Sequence, residues 1–132
     1  IGGLPGIEVP EPVPGGEPSY WFWRIRVDET ELTCDKSTLC EALSAEGVLL
    51  SPSYDFLPHE DAWFQDQRVF GESGYPWQAP EYDGDRNPDF ECPNAREAVE
   101  QCFNLTVYES WGEAEVAGVV AAFEKVTAAY AE

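Results

Sequence analysis

Basic residues are scarce in this chain: seven lysines and arginines stand against 26 aspartates and glutamates, a formal net charge of −19. A surface of that sign repels phosphate backbones and anionic lipid headgroups, so nucleic acid and membrane surfaces are not expected as partners. Lysine is rarer still, with only Lys36 and Lys125, and His59 is the one histidine. Glu60 follows His59, but no second histidine stands at i+4, so the helical zinc-protease ligand set is missing. A single histidine also leaves the hydrolases that pair serine or cysteine with a histidine base nearly excluded. Apolar runs are short as well. Val116 to Phe123 falls far below the roughly 20 residues needed to cross a bilayer, and no basic segment precedes an apolar one as in a secretory signal. The expectation is a soluble, non-exported, cytoplasmic protein.

The cysteine spacings are Cys34-x5-Cys40 and Cys92-x9-Cys102, and neither is the C-x2-C of a structural zinc site. Four cysteines allow two disulfides in three connectivities, yet a chain without an export signal belongs in a reducing compartment, so free thiols are the reading. Cys40 and Cys102 fall at or beside inward helix positions and read as small buried hydrophobes. Asp83/Asp85 and Glu60/Asp61 are carboxylate pairs that arise readily by chance in so acidic a chain, and the twelve-residue calcium loop pattern is absent. Asn104-Leu-Thr106 matches a glycosylation sequon that matters only in a secreted protein.

What the chain has in quantity is aromatic mass: five Trp, six Tyr and seven Phe in 132 residues. A disordered acidic tail lacks such side chains, so one compact domain, burying roughly two-thirds of its unfolded surface, is expected. Residues 1–18 carry five prolines and five glycines and read as an extended linker joined to an upstream domain. A domain then spans 19–132. From Tyr20 to Asp28 the pattern alternates, with Phe22, Arg24 and Arg26 on one side and Trp23, Ile25 and Val27 on the other, as in a half-buried strand. Asp35 caps a helix from about Lys36 to Glu46 with Leu39 and Leu43 inward, Gly47 ends it, and Val48 to Ser51 forms a strand. Between Pro52 and Pro93 lies a turn-rich stretch whose aromatics pack on something. Pro93 opens a helix to about Cys102 with Ala95, Val99 and Cys102 inward, and Leu105 to Tyr108 follows as a short strand. Ser110 and Glu113 match a capping box ahead of a last helix with Val116, Val120, Phe123, Val126 and Tyr130 in one stripe. The order β-α-β, long loop, α-β-α predicts an α+β two-layer sandwich, a small, mostly antiparallel sheet covered by helices.

Several segments, in order, carry a family likeness: Ser19-Tyr-Trp-Phe-Trp-Arg-Ile-Arg-Val-Asp28, Ala45-Glu-Gly-Val48, Tyr54 to Trp63, Arg68-Val-Phe-Gly71, Tyr75-Pro-Trp77, Cys92-Pro-Asn-Ala95 and Ala122-Phe-Glu-Lys-Val126. Together they resemble the C-terminal small domain of DegT/StrS-type aminotransferases, over almost the whole chain from Ser19. The resemblance implies the small domain of a fold-type-I enzyme that uses pyridoxal phosphate (PLP) to aminate a keto-sugar or keto-cyclitol, often as a homodimer. In such enzymes the upstream domain carries PLP and its Schiff-base lysine, and neither Lys36 nor Lys125 is placed for that task. Isolated catalysis is therefore not expected. The resemblance puts Tyr54 and His59 nearest the substrate, although Asp55-Phe-Leu-Pro-His59 departs from the Tyr-Pro-x-Pro-Leu-His stretch of many relatives. A surface or structural role for His59 stays equally open. The alternative function is a stand-alone ligand-binding or protein-interaction module. An uncovered small domain should also expose apolar surface, with Trp21, Trp23, Trp63, Trp77 and Trp111 as candidates.

Overall fold

The computed structural model describes residues 1–87 and 90–132. Their elements, in order, are β1 (Ile7–Glu8), β2 (Phe22–Val27), α1 (Lys36–Ala45), β3 (Leu50–Ser51), α2 (Ala62–Gln65), α3 (Pro93–Gln101), β4 (Cys102–Thr106) and α4 (Glu113–Tyr130). Short 3-10 turns occupy Glu29–Glu31 and Pro58–Glu60. The fold is α+β, and the strands form one antiparallel sheet in the order β1-β2-β4-β3. The chain divides into two compact units, residues 1–54 with 98–132, and residues 55–97. In the second unit the aromatics of the turn-rich stretch gather around one another.

In the first unit the alternation of β2 sends Ile25 and Val27 to one face, and pairing of Ile25 with Phe103 and Trp23 with Leu105 puts the apolar residues of β4 beside them. Leu39 and Leu43 of α1 and Ala122, Phe123 and Val126 of α4 close over this face, and the Phe103 and Phe123 rings stack with centroids 6.3 Å apart. As expected, Asp35 caps α1: its carboxylate accepts from the Thr38 amide (2.8 Å), and this backbone bond together with the Thr38 hydroxyl holds the carboxyl below its ordinary value. Gly47 ends the helix at φ +89°, with the Val48 amide returning to the Leu43 carbonyl (3.1 Å). No helix among the described residues is long and apolar enough to cross a membrane.

Three expectations need correction. Residues 1–18 are not linker throughout. Ile7 pairs with Val27, Glu8 pairs with Arg26, and Ile7 is buried at 5% exposure. Gly6 makes the entry possible: at φ +68°, a Cβ there would meet Leu32 at 2.5 Å. Its amide donates to Glu31 (2.9 Å) and its carbonyl accepts from the Asp28 amide (3.0 Å). Pro10 stops this edge strand after two residues, and residues 10–21 are exposed. The second correction concerns β4, which begins at Cys102 and ends at Thr106, three residues ahead of the expected Leu105 start. Its alternation, Phe103 and Leu105 inward against Cys102 and Asn104, follows directly on α3. Third, Ser110 does not cap α4. The N-cap is Gly112, whose amide donates to Glu115 (2.9 Å), and glycine has no side chain to return the bond. The buried stripe accordingly starts at Ala122, and Val116 is exposed.

In the second unit Phe64 sits edge-on to Trp63, Trp77 and Phe90 at centroid distances of 5.6 to 5.7 Å. Arg86 staples the adjoining turn by donating to the carbonyls of Trp77 (2.6 Å) and Tyr82 (2.9 Å). Trp77, expected on an uncovered surface, is instead 8% exposed, because Phe64 covers its ring.

The placement of Ile7 makes a direct prediction. Replacing Ile7 by Ala should lower unfolding stability by about 2 kcal/mol or more, as read by urea denaturation. Val13→Ala, at an exposed position of the same proline-rich segment, should change it by no more than about 0.5 kcal/mol.

Candidate functional site

Tyr54 and His59 belong to different units. Tyr54 closes the first unit. It is 42% exposed, its ring lies 5.7 Å from that of Phe22, and the Arg24 guanidinium stands over it at 5.8 Å. Arg24 reaches it because β2 turns Phe22, Arg24 and Arg26 to the face away from α1 and α4. A guanidinium over a phenol ring gains cation–π attraction and keeps its N–H edges free for an acceptor.

His59 lies in the 3-10 turn Pro58–Glu60 of the second unit with a side chain only 16% exposed, and its Nε2 is 3.6 Å from Oε1 of Glu60. The same Glu60 oxygen pairs with Arg96 of α3, while the His59 carbonyl accepts from Gln65 (2.5 Å). A hollow of about 430 Å³ is lined by these four residues with Phe90 and Cys92. Imidazole, carboxylate and guanidinium side by side can hold a polar ligand. Sequence reasoning named His59 but missed Arg96, since the i to i+36 partnership with Glu60 leaves no local signature.

Among the described residues no group of three or more His, Cys, Asp or Glu side chains is arranged to hold a metal ion. Of the carboxylate pairs singled out in the sequence, Asp61 accepts from the Trp63 indole (3.1 Å) and Asp85 from the Asn87 amide (2.9 Å). The sequon asparagine, Asn104, is buried in β4, where no glycan could be attached.

Both lysines are engaged. Lys36 stands in the first turn of α1 as expected, but it is half-buried, and its Nζ donates to the carbonyls of Val99 (3.3 Å) and Cys102 (3.1 Å). Lys125 lies on the surface, paired with Glu46 at 2.7 Å. A lysine that anchors PLP needs an amine free to meet the cofactor aldehyde, and both amines here are engaged by acceptors.

A second concavity in the first unit is apolar. About 390 Å³ in volume, it lies among Trp23, Leu105, Val107, Trp111, Val119 and Val120. Trp23 and Trp111 are half-buried here, whereas Trp21 is 86% exposed and Trp63 is also exposed. The Trp23 indole N–H is shut off from water and has no acceptor among the described residues.

The four cysteines are free; Cys40 and Cys102 are buried as expected, Cys34 is half-buried and Cys92 is exposed. Burial pushes the Cys40 thiol up to about 11, and burial followed by the charge of Asp35 raises that of Cys34. Since the thiolate is the reactive form, a disulfide-exchange reagent at neutral pH should modify Cys92 first, with Cys40 and Cys102 reacting only on unfolding. Peptide mapping that found Cys40 modified before Cys92 would contradict this packing. In comparisons with known proteins, no family model matches the chain and no curated protein matches it.

Proposed function

We propose that this chain is the C-terminal small domain of a PLP-dependent aminotransferase of the DegT/StrS type, acting on a keto-sugar or keto-cyclitol and without activity by itself. One observation carries the reading: five of the seven resembling segments meet a helix or strand, in chain order. Ser19–Asp28 covers β2, Ala45–Val48 closes α1 ahead of β3, Tyr54–Trp63 runs from the end of the first unit into α2, Cys92–Ala95 opens α3 and Ala122–Val126 lies in α4. The engagement of Lys36 and Lys125 supports placing the chemistry in an upstream domain. In this reading the enzyme is a cytoplasmic homodimer of fold type I, and PLP supplies the electron sink for amine transfer. Tyr54 and His59, each in its own unit, are the residues this reading assigns to the acceptor, and the small domain helps exclude water from it. No step is assigned to either lysine.

A second reading, a stand-alone ligand-binding or protein-interaction module, is favoured by the apolar hollow at Trp23 and Trp111. Its volume lies within the range of small-molecule sites, roughly 300 to 1,000 Å³.

Expressing the complete reading frame that contains these residues separates the two. The aminotransferase reading expects a longer protein that binds PLP through a lysine outside residues 1–132 and transfers an amine from glutamate or glutamine to a keto-cyclitol or keto-sugar. It expects no turnover from residues 1–132 alone with added PLP. A frame without such an upstream domain, or turnover by the isolated chain, would contradict it.

A further inference from the structure

Five arginines serve a chain with 26 carboxylates, and four of them are met by acceptors. Arg26 donates to Glu8 (2.6 Å) and Gln101 (2.7 Å), Arg68 pairs with Glu72 (3.5 Å), Arg86 holds backbone carbonyls, and Arg96 pairs with Glu60. Arg24 is the exception. Half-buried on β2, it makes no hydrogen bond or ion pair among the described residues and stands only over the Tyr54 ring. Taking a guanidinium partly out of water without an anion is unfavourable, and in so acidic a chain a carboxylate partner was easy to provide.

The surroundings of Arg24 sharpen the point. The strand register sets Arg24 opposite Asn104 and Asn104 opposite Ser51, so these three form one polar row across β2, β4 and β3, on the face away from α1 and α4. Asn104 is 5% exposed, and its Oδ1 has no donor among the described residues. The neighbouring internal acceptor is thus left unused while Arg24 turns to Tyr54. Arg24 also lines a hollow of about 290 Å³ with Glu8, Val9, Pro10, Arg26 and Cys102. In that hollow Glu8 already neutralises Arg26, so one positive charge remains unmatched, and the other walls are apolar.

We infer that Arg24, backed by Tyr54, is a binding site for a small molecule bearing one carboxylate. A planar guanidinium offers two parallel N–H groups that match the two oxygens of a carboxylate, and partial burial strengthens the contact relative to open water. A single unmatched charge beside Glu8 suits a monoanion better than a phosphate dianion. The inference is independent of the aminotransferase reading, since it rests on unsatisfied groups of the first unit.

The test uses the whole chain and sodium acetate as probe, followed by NMR at constant ionic strength balanced with sodium chloride, with inorganic phosphate as the comparison. Saturable shifts at the Arg24 side-chain N–H and the Tyr54 ring are expected, with acetate binding tighter than phosphate. R24Q, checked for native circular dichroism, should weaken acetate at least roughly tenfold, the loss of one charge-assisted hydrogen bond. R24K, which keeps the charge but not the fork, should weaken it by a smaller factor and serves if R24Q does not fold. Unchanged affinity in R24Q or R24K, phosphate binding as tight as acetate, or an Arg24 N–H already bonded to Asn104 in the free chain would each overturn the site.

Discussion

The rest of the first unit depends on the pairing of β2 with β4, from Phe22 opposite Thr106 to Arg26 opposite Cys102. These two central strands are distant in sequence, and their register decides which side chains meet the helices. In the observed register Ile25, Val27, Phe103 and Leu105 share a face, and Phe123 of α4 has a ring to stack on. A slip of one residue would turn Arg24, Arg26 and Asn104 toward α1 and α4 and the apolar set away from them. Ile7 and Leu50 extend the same apolar logic to the two edges, each through a strand of only two residues, which leaves little open edge for another chain to pair with.

The scarcity of cations gives each one weight. Lys36 ties α1 to the carbonyls where α3 gives way to β4, Lys125 ties α4 to the end of α1 at Glu46, and Arg86 holds a turn of the second unit. Exposed pairs of this kind contribute little individually. Their consequence is chemical: both lysine amines are already engaged, Lys36 by two carbonyls and Lys125 by a surface carboxylate. The positive charge not used in this way is Arg24, and it lies on the sheet face that the register leaves polar.

Much of this was legible in the sequence. The α+β class, β2 with its two faces, the Asp35 cap and Gly47 stop of α1, and the inward places of Leu39, Leu43, Phe123 and Val126 follow from local pattern. What was hidden depended on long-range partners. Ile7 looks like one apolar residue among prolines, and its pairing with Val27 at the sheet edge brings it into the core. Ser110-x-x-Glu113 satisfies the capping pattern on paper, yet Glu115 reaches the Gly112 amide and moves the helix start. β4 was displaced because Cys102 suits a helical stripe and a strand start equally well. At the candidate site His59 and Tyr54 were named from the family likeness, whereas Glu60 with Arg96 and Arg24 over Tyr54 needed the three-dimensional arrangement.

Native-state hydrogen exchange tests the central claim most directly. If the β2–β4 ladder organises the first unit, the amides bonded between these two strands exchange slowest of all, at the rate set by global unfolding, and those of α4 exchange no more slowly. Amides of α4 or of residues 55–97 that outlast the ladder would show that the fold is held together elsewhere.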